Sequence, residues 1–245
     1  MRLSVVIPCY NEESRINPTL QRVESFLLSK RYGAEIVAVD DGSSDGTLAA
    51  LERFRAGRRV PVQVVSYQPN KGKANAVREG VLAARGEVIL FTDADLSTPI
   101  EEIESFLPIL EGGEADIVIG SRNLPSSQVT RPKGREMMSK GFNLLVRMML
   151  LPGIRDTQCG FKCFARAAAL AVFEKEVRSG LAFDVEILYI ARRLGYRIVE
   201  VPVRWDYASG SKVQPVRDSA RMLAAVLQLR AKALLGRYRP RPRAG

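Results

Sequence analysis

Along the first 120 residues, short continuous apolar runs alternate with longer stretches in which apolar positions recur every three to four places. The runs are "LSVVIPC" at 3–9, "EIVAVD" at 35–40, "VQVVSY" at 62–67, "EVILFT" at 87–92 and "DIVIG" at 116–120. Rich in β-branched residues and without polar alternation, they read as strands covered on both faces. The stretches between them carry helical spacing, as at Ile16, Leu20, Val23, Phe26 and Leu27 within 14–29. Further helices are expected at 47–54, at 74–84 and from near Pro99. Strand and helix in strict alternation predict an α/β fold, with a mostly parallel central sheet and helices on both faces.

In such sheets ligands bind outside the carboxyl ends of the strands. Polar clusters follow the predicted strands in that position: "CYNEE", "DDGSSDG", "DAD" and "GSRN". They read as one site. After Asn123 the pattern changes. "LPSSQVTRPKG" reads as an exposed loop, and 135–151 as a helix with Arg135, Ser139, Asn143 and Arg147 on one stripe. "DTQCGFKCFAR" returns to strand-like structure, 183–194 to helix and "RIVEVPVRW" to strand. In a last helix, 218–235, the residues Arg221, Gln228 and Lys232 (with Arg217 just before it) fall within an arc of about 60° and leave a wide apolar face. The expected organisation is one domain over 1–235, with a ligand-binding first half, 1–122, a second half, 123–235, carrying amphipathic helices, and a basic tail at 236–245.

Charge separates the halves. The net charge of +10 comprises +5 in 131–155 and +8 in 204–243, leaving about −3 for the rest. Nucleic acid, an anionic membrane surface or a phosphorylated substrate each fits such a surplus. With aromatics at 7% and not interleaved with the basic runs, no nucleic acid partner is expected. No apolar run reaches the roughly 18–20 residues needed to cross a bilayer, and the start of the chain lacks signal-peptide architecture. The expected location is cytoplasmic.

Two exclusions narrow the chemistry. The chain contains no histidine, which removes Ser-His-Asp and Cys-His catalysis and histidine metal ligands. The three cysteines read as small core residues of a reducing compartment. Neither G-x-G-x-x-G nor G-x-x-x-x-G-K-[ST] is present, which disfavours dinucleotide and P-loop sites. Acids at the strand ends instead suit a nucleotide whose diphosphate is bridged to carboxylates by Mg²⁺ or Mn²⁺. The stretch "ILFTDADLSTP" places Asp93 and Asp95 at such an end.

"VVIPCYNEE", "VDDGSSDGT", "NKGKANAVREG", "DADLSTP" and "GSR" occur in the order and spacing of the family 2 glycosyltransferases, which the chain resembles over at least 3–122. "RDTQCGFKCFAR" and "FDVEILYIARRLGY", with the later "VPVRW" and "GSK", resemble the polyprenyl-phosphate hexose synthases, most of all the dolichyl-phosphate β-glucosyltransferase group, with the mannose synthases close by. The resemblance implies a GT-A fold, to which the spacing at 218–235 adds a C-terminal amphipathic helix. It also implies transfer of a hexose, with inversion, from a nucleotide sugar (UDP-glucose, or GDP-mannose as the alternative) to a polyprenyl phosphate. The enzyme would lie peripherally at the inner face of an anionic membrane. An alternative within the family is a sugar hydroxyl as acceptor.

By the same resemblance Pro8, Tyr10, Asn11 and Glu12 line the nucleotide pocket, and Asp40 and Asp41 contact the base or ribose. Lys73 approaches the diphosphate, and Asp93 and Asp95, with Ala94 between them, bind metal and nucleotide. Asp95 and Arg122 are the expected catalytic residues; Arg122, Arg135 and Ser139, assisted by Lys212, hold the acceptor phosphate. Mannose synthases typically carry Gln where this chain has Ser97, which leaves the third metal ligand open. A phosphate monoester is already anionic at neutral pH, so transfer to it needs no general base.

Other readings stand beside these. Asp40 and Asp41 also suit the cap of the following helix. Asp184 reads as a helix-capping acid rather than a base, and Asp156 and Gln158 as either a donor-sugar contact or a turn. Arg135 also reads as a solvated helix charge, and the stripe opposite Arg221 as core or as membrane contact.

Overall fold

The structure, a computed structural model, describes residues 1–30, 32–130, 149–175, 183–206 and 228. The strands are β1 (Leu3–Cys9), β2 (Ala34–Asp40), β3 (Val62–Ser66), β4 (Val88–Thr92), β5 (Ile117–Ser121), β6 (Gln128–Thr130), β7 (Phe161–Ala165), β8 (Ile198–Pro202) and β9 (Arg204–Asp206). The helices are α1 (Ile16–Ser29), α2 (Thr47–Arg55), α3 (Lys73–Ala83), α4 (Ile103–Glu111) after one 3₁₀ turn, α5 (Arg166–Phe173) and α6 (Phe183–Arg193).

Seven strands form one sheet in the order β3-β2-β1-β4-β7-β5-β8. All neighbours are parallel except β7, which runs antiparallel between β4 and β5. Every residue of β2 is buried, whereas edge strand β3 is only partly covered, and the two patterns follow from central and edge positions. Alternate side chains divide the core. Val5, Ile7, Leu90 and Phe161 pack with α1, α2 and α4 on one face, and Val6, Phe91, Phe164 and Val185 with α3, α5 and α6 on the other. Helices on both faces are therefore borne out.

Three expectations change. The apolar stretch 197–205 is not one strand: it breaks at Val203 into β8 and β9. The expected loop at 124–134 contains β6, which pairs in parallel with β9. Helix α5 is an element that spacing did not announce, because after Arg166 every residue of "RAAALAVF" is apolar and no polar position marks a period. Most of the helix expected at 135–151 and nearly all of that at 218–235 lie outside the described residues. Among the described residues no helix is long and apolar enough to cross a membrane.

Candidate active site

The clusters after β1, β2, β4 and β5 meet at the carboxyl edge of the sheet. Asn11, at φ +55°, turns the chain after β1; its N–H donates to Ser43 Oγ at 3.0 Å and its side-chain oxygen accepts from the Ser44 N–H at 2.9 Å. The Glu12 N–H donates to Thr47 Oγ1 at 2.8 Å. Pro8 lies within β1, and Tyr10 stands at the exposed edge. "CYNEE" and "DDGSSDGT" thus form one surface.

Asp40 and Asp41 are buried, at 0% and 2% exposed. Asp40 accepts from the Ser43 N–H and Ser66 Oγ; Asp41 accepts from Tyr67 Oη at 2.8 Å, Asn70 Nδ2 at 2.9 Å and the Lys71 N–H at 2.9 Å. Each of the four oxygens has a protein donor, so these acids knit the β2 and β3 loops together. The capping reading fails for them, since Asp45 accepts from the Thr47 N–H at the start of α2. Gly42, at φ +69°, fits because a Cβ there would lie 2.7 Å from the Asn70 nitrogen.

Asp93 and Asp95 leave β4 on a tight turn in which the Leu96 N–H donates to the Asp93 carbonyl at 3.1 Å. Leu96 sits at φ +46°, a costly conformation for a branched side chain, here fixed by its own burial. Thr19 Oγ1 donates to the Ala94 carbonyl at 2.6 Å, and the Ser97 N–H to Asp95 Oδ1 at 2.9 Å. The Ser97 carbonyl in turn accepts from the Asp206 N–H of β9 at 2.8 Å. Asp93 packs against Gly160, where an added Cβ would come within 1.9 Å of Asp93 Oδ2. Its other oxygen, Oδ1, pairs with Lys73 Nζ at the start of α3. Partial desolvation opposes the charge on Lys73, but Asp93, Asp184 and Asp95 outweigh it and raise its pKa.

The donor set suits a hard divalent cation. Asp95 is exposed, Asp93 is cradled by a glycine, and both offer only oxygen. Among the described residues no group of three or more acidic or cysteine side chains is gathered as a metal site. Ser97 is buried, with its backbone engaged by Asp95 and Asp206.

Arg122, following β5, is held by Asp156. Its Nε and Nη2 donate to the two carboxylate oxygens at 2.7 and 2.9 Å, and its own N–H adds a third bond at 2.9 Å. Burial would raise the Asp156 carboxyl, but the guanidinium and the backbone donors hold it below the usual range. Glu200 of β8 accepts from the N–H groups of Arg155 and Asp156, and Trp205 packs against the Arg122 guanidinium at 5.5 Å. The bidentate partner of Arg122 in this structure is therefore a carboxylate. Arg135, Ser139 and Lys212 lie outside the described residues.

Lys162 and Glu200 are the residues that reading the sequence missed. Lys162 is fully buried on β7, where it donates to the Cys159 carbonyl at 2.5 Å and pairs with Asp184 of α6. Asp184 is thus the counter-ion of a buried lysine rather than simply a cap. Its signal was present: a lysine inside "GFKCF" with no polar alternation around it.

Sheet topology and clustered strand-end acids define an α/β fold with a ligand site at the carboxyl edge of its sheet. A family model described as "Glycosyl transferase family 2" matches residues 4–173, and the chain belongs to that family. Among curated relatives, the dolichyl-phosphate beta-glucosyltransferase of Dictyostelium discoideum is 35% identical over 96% of this chain and 75% of its own length. The human protein of the same name is 36% identical over 97% of this chain and 78% of its own. Solved structures agree on the GT-A fold. Glucosyl-3-phosphoglycerate synthase from Mycobacterium tuberculosis with UDP has a TM-score of 0.67 at 21% identity, covering 93% of this chain and 79% of that one. Mannosyltransferase PcManGT from Pyrobaculum calidifontis with GDP-Man and Mn²⁺ has a TM-score of 0.66 at 23% identity, covering 95% and 64%.

Proposed function

We propose that this chain is a dolichyl-phosphate β-glucosyltransferase, moving glucose from UDP-glucose to the phosphate of a polyprenyl lipid. The observation that carries the reading is identity of 35% and 36% to enzymes of that name over 96% and 97% of the chain.

In the reaction an oxygen of the lipid phosphate attacks C1 of glucose from the face opposite UDP. The C1–O bond breaks, UDP leaves with its electron pair, and the configuration inverts. The acceptor monoester, with a second pKa of about 6, arrives ionised, so no side chain has to remove a proton. This suits a site without histidine. Pro8, Tyr10, Asn11 and Glu12 line the nucleotide pocket, with Asp40 and Asp41 fixing the loops against which base and ribose rest. Asp93 and Asp95 would hold Mg²⁺ or Mn²⁺, which when bound neutralises the diphosphate of the leaving group. Lys73 adds a positive charge to that group. Arg122 would hold the acceptor phosphate, a role that the family resemblance gives also to Arg135, Ser139 and Lys212, and its pairing with Asp156 sets the plane of its guanidinium. The lipid acceptor and the basic second half support a peripheral location at the cytoplasmic face of an anionic membrane.

Thermal shift with Mn²⁺ and either UDP-glucose or GDP-mannose tests the donor. A rise in Tm with UDP-glucose is expected. A rise with GDP-mannose alone would contradict the assignment.

A further inference from the structure

Lys73 occupies a position for which its own helix offers no reason. It is the first residue of α3, an 11-residue helix with no acid in its first turn, so its ammonium adds to the positive end of the helix dipole. What stabilises it lies across the site. Nζ pairs with Asp93 Oδ1, feels Asp184 and Asp95 as well, and stands 5.7 Å from the Phe183 ring centroid.

The two partners differ in freedom. Asp93 is pressed against Gly160 and has no room on that side. Lys73 is 41% exposed on a flexible four-carbon stem. If one partner is to leave the pair, it is the lysine. A divalent cation at Asp93 would repel an ammonium bound to the same carboxylate, and the repulsion falls only when a new anion takes the ammonium over. The diphosphate of the donor is such an anion, and it would lie between the cation and the start of α3.

We propose that Lys73 is an exchangeable counter-ion of Asp93. Without donor it holds the carboxylate in place of a divalent cation. As donor and cation enter, it passes to the diphosphate. Metal and donor therefore bind as a coupled pair, and the empty enzyme has little affinity for metal alone. This inference rests on the reading of Asp93 and Asp95 as the metal pair.

The test measures Mn²⁺ binding to the full chain by the EPR signal of free Mn²⁺, with and without UDP, for wild type, Lys73→Met and Lys73→Gln. Both variants change a partly exposed helix start, and unchanged melting confirms that they fold. UDP is expected to raise the wild-type affinity for Mn²⁺ by about a hundredfold, and by linkage Mn²⁺ raises that for UDP equally. Each variant is expected to bind Mn²⁺ alone about tenfold more tightly than wild type, with the coupling reduced by a similar factor. Unchanged or weaker binding of Mn²⁺ alone in both variants would overturn the counter-ion role. If wild type with UDP binds Mn²⁺ no better than Asp95→Asn with UDP, the metal-pair reading itself falls, and the inference with it.

Discussion

Lys162 of β7 and Asp184 of α6 form an ion pair inside the second core face, with the lysine side chain 0% and the aspartate side chain 9% exposed. The pair joins the one antiparallel strand of the main sheet to the helix that covers it, and Phe91 packs against the ammonium at 5.2 Å. Removing one partner leaves a buried charge uncompensated. Lys162→Met is expected to lower the unfolding free energy by about 3–5 kcal/mol, whereas Lys162→Met with Asp184→Leu recovers most of it. Urea unfolding of the two variants measures the difference. A double variant no more stable than the single one would show that the pair is not the source of the loss.

Asp156 gives stability a defined pH dependence. Its folded pKa lies below its unfolded value, so its contribution is complete above about pH 4 and is lost as pH falls through the folded value. Unfolding free energy should therefore drop on acidification below about pH 4, and Asp156→Asn should be less stable at pH 7 with a shallower acid slope. Equal slopes for the two proteins, from melting between pH 7 and pH 3, would contradict the pairing with Arg122.

Gly160 tests the seat of Asp93. A methyl group at Gly160 would come within 1.9 Å of the carboxylate and push it from its position. Gly160→Ala is expected to lower kcat/KM by about a hundredfold while the protein still melts cooperatively, because misplacement by about 1 Å is enough for such a loss. Activity near that of wild type would mean that Asp93 tolerates a shift.

The first half of the fold was legible because its strands are local apolar runs and its acids stand at their ends. Observed boundaries for β1 to β5 fall within one residue of the expected ones. What was hidden depended on partners distant in the chain. Lys162 went unnoticed because its role depends on β7 lying between β4 and β5, and Asp184 looked like a cap because its partner is 22 residues away. The ribbon of β6 and β9 joins segments about 75 residues apart, and three residues of each carry no period to reveal it. Asp40 and Asp41 were read as nucleotide contacts, but the engagement of Asp41 by the β3 loop follows from Tyr67 and Asn70, whose reach no spacing rule gives.

The central claim is transfer of glucose to a lipid phosphate at Asp93 and Asp95. The most direct measurement incubates the full chain with UDP-[¹⁴C]glucose, dolichyl phosphate and Mg²⁺ or Mn²⁺, and counts label in the organic phase. The expected result is a labelled, acid-labile glucosyl phosphoryl lipid of β configuration, lost on chelation of the metal and in Asp95→Asn. Organic-phase label from GDP-[¹⁴C]mannose but none from UDP-[¹⁴C]glucose would contradict the account, as would full activity in Asp95→Asn.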